Sequence, residues 1–220
     1  MSAPLILFGL GSFVDFVAHH FETQGGRRVV AQTAHCRFIP AGWSGPRPML
    51  PFEEIAAHLP PGKHDIFIAL EHGEQNAARA AIAREAKSLG YALASFISPA
   101  ARIAAGVAPG EHSFVLDGVC IQHGARIGAN NIIHANAYFG QGCSVGDDNY
   151  FGAGFFADRH CRIGTHNVFG SQVRIGEAVD AGSWNFIRAF QTIDAPLARP
   201  TLIDAGLRMP GHIVDRRRTL

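Results

Sequence analysis

The chain has 220 residues, 19 Lys plus Arg against 18 Asp plus Glu, and a formal charge of +1. That length accommodates one large domain or two small ones around a sizeable apolar core. With 47% hydrophobic and only 17% charged residues, it is neither a disordered chain nor a nucleic-acid binder acting through bulk charge.

Leu5-Ile6-Leu7-Phe8 is a short apolar run and predicts a buried strand. It is not read as a signal peptide, because no basic residue leads in and Asp15 soon interrupts it. The run ends at Gly9-Leu10-Gly11-Ser12, after which residues 13–21 show helical spacing. Val29-Val30-Ala31 is a second candidate strand, and the Pro-rich piece 40–51 reads as a loop on the sheet edge. Residues 65–70 form a stronger strand candidate. Residues 74–89, rich in Ala, Arg, Glu and Lys, predict a helix that stops at Gly90. Strands alternating with helices predict a small parallel sheet, a Rossmann-like α/β domain over residues 1–92.

After Tyr91 the period changes to six. From Ile97 to the hexad opened by Ile193, seventeen hexads run in phase; fourteen open with Ile, Val or Phe, and nine carry Gly in second place. Three hexads per turn is the signature of a parallel β-helix, expected over residues 93–198 with a tail at 199–220. The opening residue should fill the axis, and the small fifth residue should let the chain turn the corner. Asn131, Asn149, Asn167 and Asn185 recur every eighteen residues and should stack in one column. Phe139, Phe151, Phe155 and Phe169 are expected in the core. Phe156, Phe186 and Phe190 are candidates for a subunit interface.

Cys36, Cys120, Cys143 and Cys161 show no CxxC spacing and read as free thiols in a cytoplasmic protein. No trio of residues has zinc-ligand spacing, so no metal is expected. Residues 127–146 carry no formal charge, but five amide or imidazole side chains there argue against a membrane span.

The segments LILFGLGSF, MLPFEEIA and ALEHGEQNAARAAIAREAKSLGYALASFISPAA, with the hexads from Ile103 onward, resemble the hexapeptide-repeat sugar acyltransferases. The likeness is to the sialic-acid O-acetyltransferase and bacillosamine N-acetyltransferase group, and it extends over about nine-tenths of the chain. It implies a left-handed coil, a homotrimer, acetyl-CoA or another acyl-CoA bound between neighbouring coils, and a nucleotide-linked sugar on the amino-terminal domain. The hand rests wholly on the resemblance, since most parallel crossovers are right-handed.

This chain departs from the family where the catalytic base belongs. The hexad Phe139-Gly140-Gln141-Gly142-Cys143-Ser144 puts Gln141 in place of the general-base His and Gly142 in place of its partner. An amide takes no proton near neutral pH, and general-base catalysis typically contributes ~10²–10⁴ in rate. A second family His, near the thioester, corresponds to Tyr150; Ser171 and Arg159 complete the expected CoA groove. An acidic residue after the second strand corresponds to His35.

Three other histidines are candidates for the missing base. His134 stands seven residues before Gln141, where relatives carry Asn; the alternative for it is a polar interface residue. His123 lies one coil below Gln141, in a column continuing through Arg159 and Glu177, which also reads as a solvated edge. His160 stands one coil above. His19, His20, His112, His166 and His212 are expected at the surface. Gly9, Gly11, Ser12, His35 and Asn76 are candidates for sugar-nucleotide contact. The bland readings are a tight strand-to-helix turn for the glycines, and helix capping or solvation for Asn76 and Arg79. Arg216-Arg217-Arg218 reads as a solvated tail or a CoA-phosphate contact. Function therefore stands between an acyl-CoA-dependent acyltransferase and an inactive trimeric binding or scaffold protein, with Gln141 favouring the second.

Overall fold

The computed structural model of the chain describes residues 2–204; His212 and the Arg216–Arg218 cluster lie outside the described residues. Five parallel strands form the amino-terminal sheet: β1 (Leu5–Phe8), β2 (Val29–Ala34), β3 (Met49–Pro51), β4 (Asp65–Ile68) and β5 (Ala92–Leu93). Their order is β3-β2-β1-β4-β5. Side chains alternate between the faces, as a period of two requires. Leu5, Leu7 and Phe67 face α1 (Ser12–Thr23), which packs through Val14, Val17, Ala18 and Phe21. Ile6, Phe8, Ile66 and Ile68 lie under Phe52, Ile55 of α2 (Ile55–His58), and Ala83 and Ala86 of α3 (Ala77–Ser88).

The expected loop over 40–51 is corrected at its end, where Met49–Pro51 pairs with Gln32, Thr33 and Ala34 as an edge strand. An edge tolerates Pro51, because its outer side has no ladder bond to lose. Strand order reverses between β1 and β4. In open α/β sheets, ligands bind at such a reversal, outside the carboxyl ends of the strands.

A parallel β-helix follows. Strands eighteen residues apart pair in register, as in Ile132↔Tyr150, Tyr150↔Val168 and Val168↔Phe186. They form three sheets of seven, six and three strands. The first face begins at Phe96–Ile97 and turns toward the amino-terminal domain; the second begins at Arg102–Ile103 and the third at Arg126–Ile127. Hexad-opening residues from Val115 to Ile193 are buried along the axis, where Phe139, Phe151, Phe155 and Phe169 pack ring against ring. Before them, Ile103 and Pro109 are half-buried and Ile97 is 43% exposed, because its strand ends the first-face sheet. Phe156 stacks on Tyr138 and under Arg174 on the second face, while Phe190 is 73% exposed.

The corners turn differently from expectation. Every fourth-place residue from Gly106 to Phe190 has positive φ, including His112, Asn130, Asp148, His166 and Trp184. That left-handed residue makes the corner. The fifth-place side chain, such as Ala125, Cys143 or Cys161, instead points into the axis. The asparagine column is continuous: the backbone N–H groups of Asn149, Asn167 and Asn185 donate to the Oδ1 of the asparagine one coil below, each at 2.9 Å. Leu202–Ile203 pairs with Phe186–Ile187, so the last rung reaches beyond residue 198. The thiols are free, Cys143 and Cys161 buried and Cys36 exposed.

Candidate active site

The two units meet along a polar seam built around Arg79. This α3 residue is 1% exposed. Its guanidinium donates to the carbonyls of Leu70, Glu71, Asn130 and Asn149 and to the Oδ1 atoms of Asn76 and Asn130. Burial lowers its pKa to about 10, still well above neutrality. Asn76 is also fully buried, and its Nδ2 donates to the carbonyl of Asn167 at 3.1 Å. Both residues therefore join the domains. Neither is a solvated helix start, and the side chain of Asn76, expected to touch substrate, is fully engaged within the chain.

His112 corrects another expectation, being 1% rather than freely exposed. The N–H of Ile68 donates to its Nε2 at 2.8 Å, two positions beyond Ile66, the last residue of β4 paired with β5. Nε2 is thus the acceptor, and Nδ1 carries the proton toward Asn130 Oδ1 at 2.6 Å. Burial, then the nearby Arg79 charge, pushes its pKa down to about 3.

Above this seam, aromatic and imidazole rings from both units converge near the carboxyl edge of the sheet. His134, just past the first-face strand Ile132–Ile133, stacks against Phe16 of α1 at 6.3 Å and meets Tyr150 at 5.0 Å. His20 packs on Phe16 at 4.4 Å, and its Nδ1 bonds the Phe16 carbonyl; it is half-buried rather than a surface residue. His72, which follows β4, stands edge-on to Tyr150 at 4.8 Å and near Phe186 at 6.2 Å.

The Nε2 of His134 is buried and has no hydrogen-bond partner. Burial, with His72 and His20 close by, brings this imidazole down to about 4. It is therefore uncharged at neutral pH, with one ring nitrogen a donor and the other an acceptor. Burial, with the Glu71 charge adding to it, pushes Tyr150 up to about 12, so its hydroxyl keeps its proton. A desolvated ring nitrogen without a partner suits a polar group of a bound ligand.

Other expected site residues lie elsewhere. Gln141 and His123 are exposed on the corner between the second and third faces, where Gly142 N–H donates to the His123 carbonyl. Arg159 continues that column and is paired with Glu177. His160, also exposed, covers Gly142, where an added Cβ would come within 2.6 Å of its Nδ1. Ser171, half-buried, lies on the corner between the first and second faces. Within one chain, then, Tyr150 and His134 come together, while His123, Gln141 and Arg159 form a separate group.

At the sheet's carboxyl edge, Gly9 has φ 140, and a Cβ there would sit 2.6 Å from the Ala69 carbonyl oxygen, so close strand approach demands glycine. Gly11 opens α1 with φ 86 and free space around it, and Ser12 is exposed. His35 packs on Phe8 and Phe52, with Nδ1 3.0 Å from Glu53 Oε1. His166, expected at the surface, is stacked on Trp184 at 4.1 Å. Sequence reading passed over His72, whose signals were its place just after a strand's carboxyl end and within the family-like segment that begins at Ala69. Among the described residues, no three His, Cys, Asp or Glu side chains gather to hold a metal ion, and no helix is long and apolar enough to cross a membrane.

No family model matches the sequence, and no curated protein matches it. Solved structures do share the fold. One is a mutant of perosamine N-acetyltransferase from Caulobacter crescentus in complex with CoA and GDP-perosamine, 21% identical, with a TM-score of 0.79 over 91% of this chain and 93% of that one. Another is the acetyltransferase domain of PglB from Neisseria gonorrhoeae in complex with acetyl coenzyme A, 20% identical, TM-score 0.78, covering 92% and 96%. WeeI from Acinetobacter baumannii, 18% identical, aligns with a TM-score of 0.54 over 87% and 96%. At these identities the likeness is one of fold.

Proposed function

We propose that this chain, built on the fold of two sugar- or CoA-bound acetyltransferase structures, moves an acyl group from acyl-CoA to an amine or hydroxyl of a nucleotide-linked sugar. The observation that carries the reading is the buried, partnerless Nε2 of His134, set between Phe16 and Tyr150 where both units meet. Further support comes from the same-fold Caulobacter structure, which holds CoA and GDP-perosamine, and the Neisseria domain, which holds acetyl coenzyme A.

In this reading the amino-terminal unit is Rossmann-like, the coil is left-handed, and the protein is a cytoplasmic homotrimer. Its groove brings His134 of one subunit to the Gln141 corner of the next. CoA lies along Tyr150, Ser171 and Arg159, and Gly9, Gly11, Ser12 and His35 border the sugar nucleotide. His134 Nε2 accepts a hydrogen bond from the attacking group, orienting its lone pair on the thioester carbonyl carbon. Backbone N–H groups of the coils stabilise the oxyanion.

A second reading, a binding or scaffold trimer without turnover, is favoured by Gln141, whose amide takes no proton. Thiol release from acetyl-CoA, followed over a panel of nucleotide-linked amino and hydroxy sugars, separates the two. Turnover is expected for the wild type, with loss in His134→Ala and retention in His123→Ala. If both variants keep full activity, the role given to His134 is wrong. If calorimetry finds no CoA binding at millimolar concentration, the transferase reading is overturned.

A further inference from the structure

His134 leaves a chemical task undone. Attack on a thioester releases a proton, and a side chain buried as His134 is resists taking on charge. The released proton needs a second seat, close to the same aromatic wall but within reach of solvent.

His72 occupies such a position. Its ring stands 4.8 Å from that of Tyr150, whose other ring contact is His134 at 5.0 Å. His72 is half-buried, and none of the hydrogen bonds among the described residues uses its ring nitrogens. The backbone next to it is built at a cost. Glu74, Gln75 and Asn76 are three consecutive non-glycine residues in the left-handed region, with φ 52, 49 and 67. Such a conformation is strained for a residue with a Cβ and persists only where its surroundings hold it. Here Gln75 Nε2 donates to the Trp184 carbonyl, Asn76 to the Asn167 carbonyl, and Arg79 to Asn76. The strained segment and its anchors hold the start of α3 on the coils, with His72 immediately before it against Tyr150.

We infer that His72 is the catalytic proton acceptor of this site, with Tyr150 as the wall that holds its ring and His134 as the orienting acceptor. The inference rests on the transferase reading. The attacking nitrogen or oxygen forms its bond to the thioester carbonyl carbon, the C–S bond breaks, and CoA leaves as its thiolate. The proton lost by the attacking atom moves to a His72 ring nitrogen and then to the thiolate or solvent.

The test compares wild type, His72→Ala and His72→Gln by thiol release, with and without added imidazole, and checks the fold by melting temperature. Expected are unchanged melting and a kcat loss of about 10²-fold or more, with KM for acetyl-CoA little altered. Added imidazole should restore activity in His72→Ala. A His72→Ala enzyme within threefold of wild-type kcat overturns the assignment and leaves the transferase reading standing. A loss that imidazole does not restore assigns His72 a structural role and overturns the inference too. A wild type with no thiol release on any acceptor removes both.

Discussion

The guanidinium of Arg79 reaches out of α3 and closes on Asn130 at a corner of the coils, Nε to Oδ1 at 3.0 Å and Nη2 to the carbonyl at 3.1 Å. Its remaining hydrogen bonds go to the Leu70, Glu71 and Asn149 carbonyls and to Asn76 Oδ1. Removing it leaves several buried acceptors without donors. Arg79→Ala is expected to lower stability by on the order of 3–5 kcal/mol. Arg79→Lys should recover little, because a point ammonium cannot reproduce the planar fork. Urea denaturation gives the answer directly.

Acid should loosen the same seam. Burial pushes the His112 pKa down to about 3, from an ordinary imidazole value of about 6.5, so the unfolded chain binds more protons between those values. Its contribution is fully present above about pH 7 and is lost as pH falls from 6.5 toward 3, by roughly 5 kcal/mol over the whole interval. His112→Gln, which removes that titration, should flatten the acid side of a stability-against-pH curve. An unchanged slope would show that His112 does not carry the acid loss.

The asparagine column carries a separate load. Asn167 Nδ2 donates to Asn149 Oδ1 and the Gly182 carbonyl, and its Oδ1 accepts from the backbone and side chain of Asn185. Asn167→Ala orphans the Asn185 N–H in a buried column and should destabilise by about 2–4 kcal/mol. Asn167→Asp should be no milder, because it buries a charge next to acceptors. Thermal melts of the two variants make the comparison.

Corners offer the opposite outcome. Ala178 is exposed and sits at φ 55, a conformation that disfavours any Cβ. Ala178→Gly should stabilise by about 0.5–1 kcal/mol, raising Tm by roughly 2–4 °C. A fall in Tm would show that the corner gains more from the methyl than it loses in strain.

The coils were legible because a six-residue period leaves its mark at every turn: an axis admits only certain side chains, and seventeen repeats state that rule again and again. The seam has no such repetition. Arg79 and Asn76 look like any polar start to a helix, and only tertiary placement makes them buried partners of carbonyls some fifty to ninety residues away. His134 was visible because it stands seven residues before Gln141, where relatives carry Asn. His72 was not, since it follows a strand in an unpatterned turn, and its neighbour Tyr150 belongs to a rung far along the chain. The corner rule was misplaced by one residue, because small fifth-place residues and left-handed fourth-place residues stand side by side in sequence.

The contacts of α3 and the turn before it fall on successive rungs: Arg79 on Asn130 and Asn149, Asn76 on Asn167, and Gln75 on Trp184. This sets a rule for length variation between relatives. Six extra residues within 130–184 would rotate everything above them by one face and carry those carbonyls away from their donors. Eighteen would restore the face but lift it by a full rung. The stretch under α3 is thus held to a constant length, and growth or loss of whole rungs belongs nearer the carboxyl-terminal end, past the rung that Gln75 and His72 reach at Trp184 and Phe186.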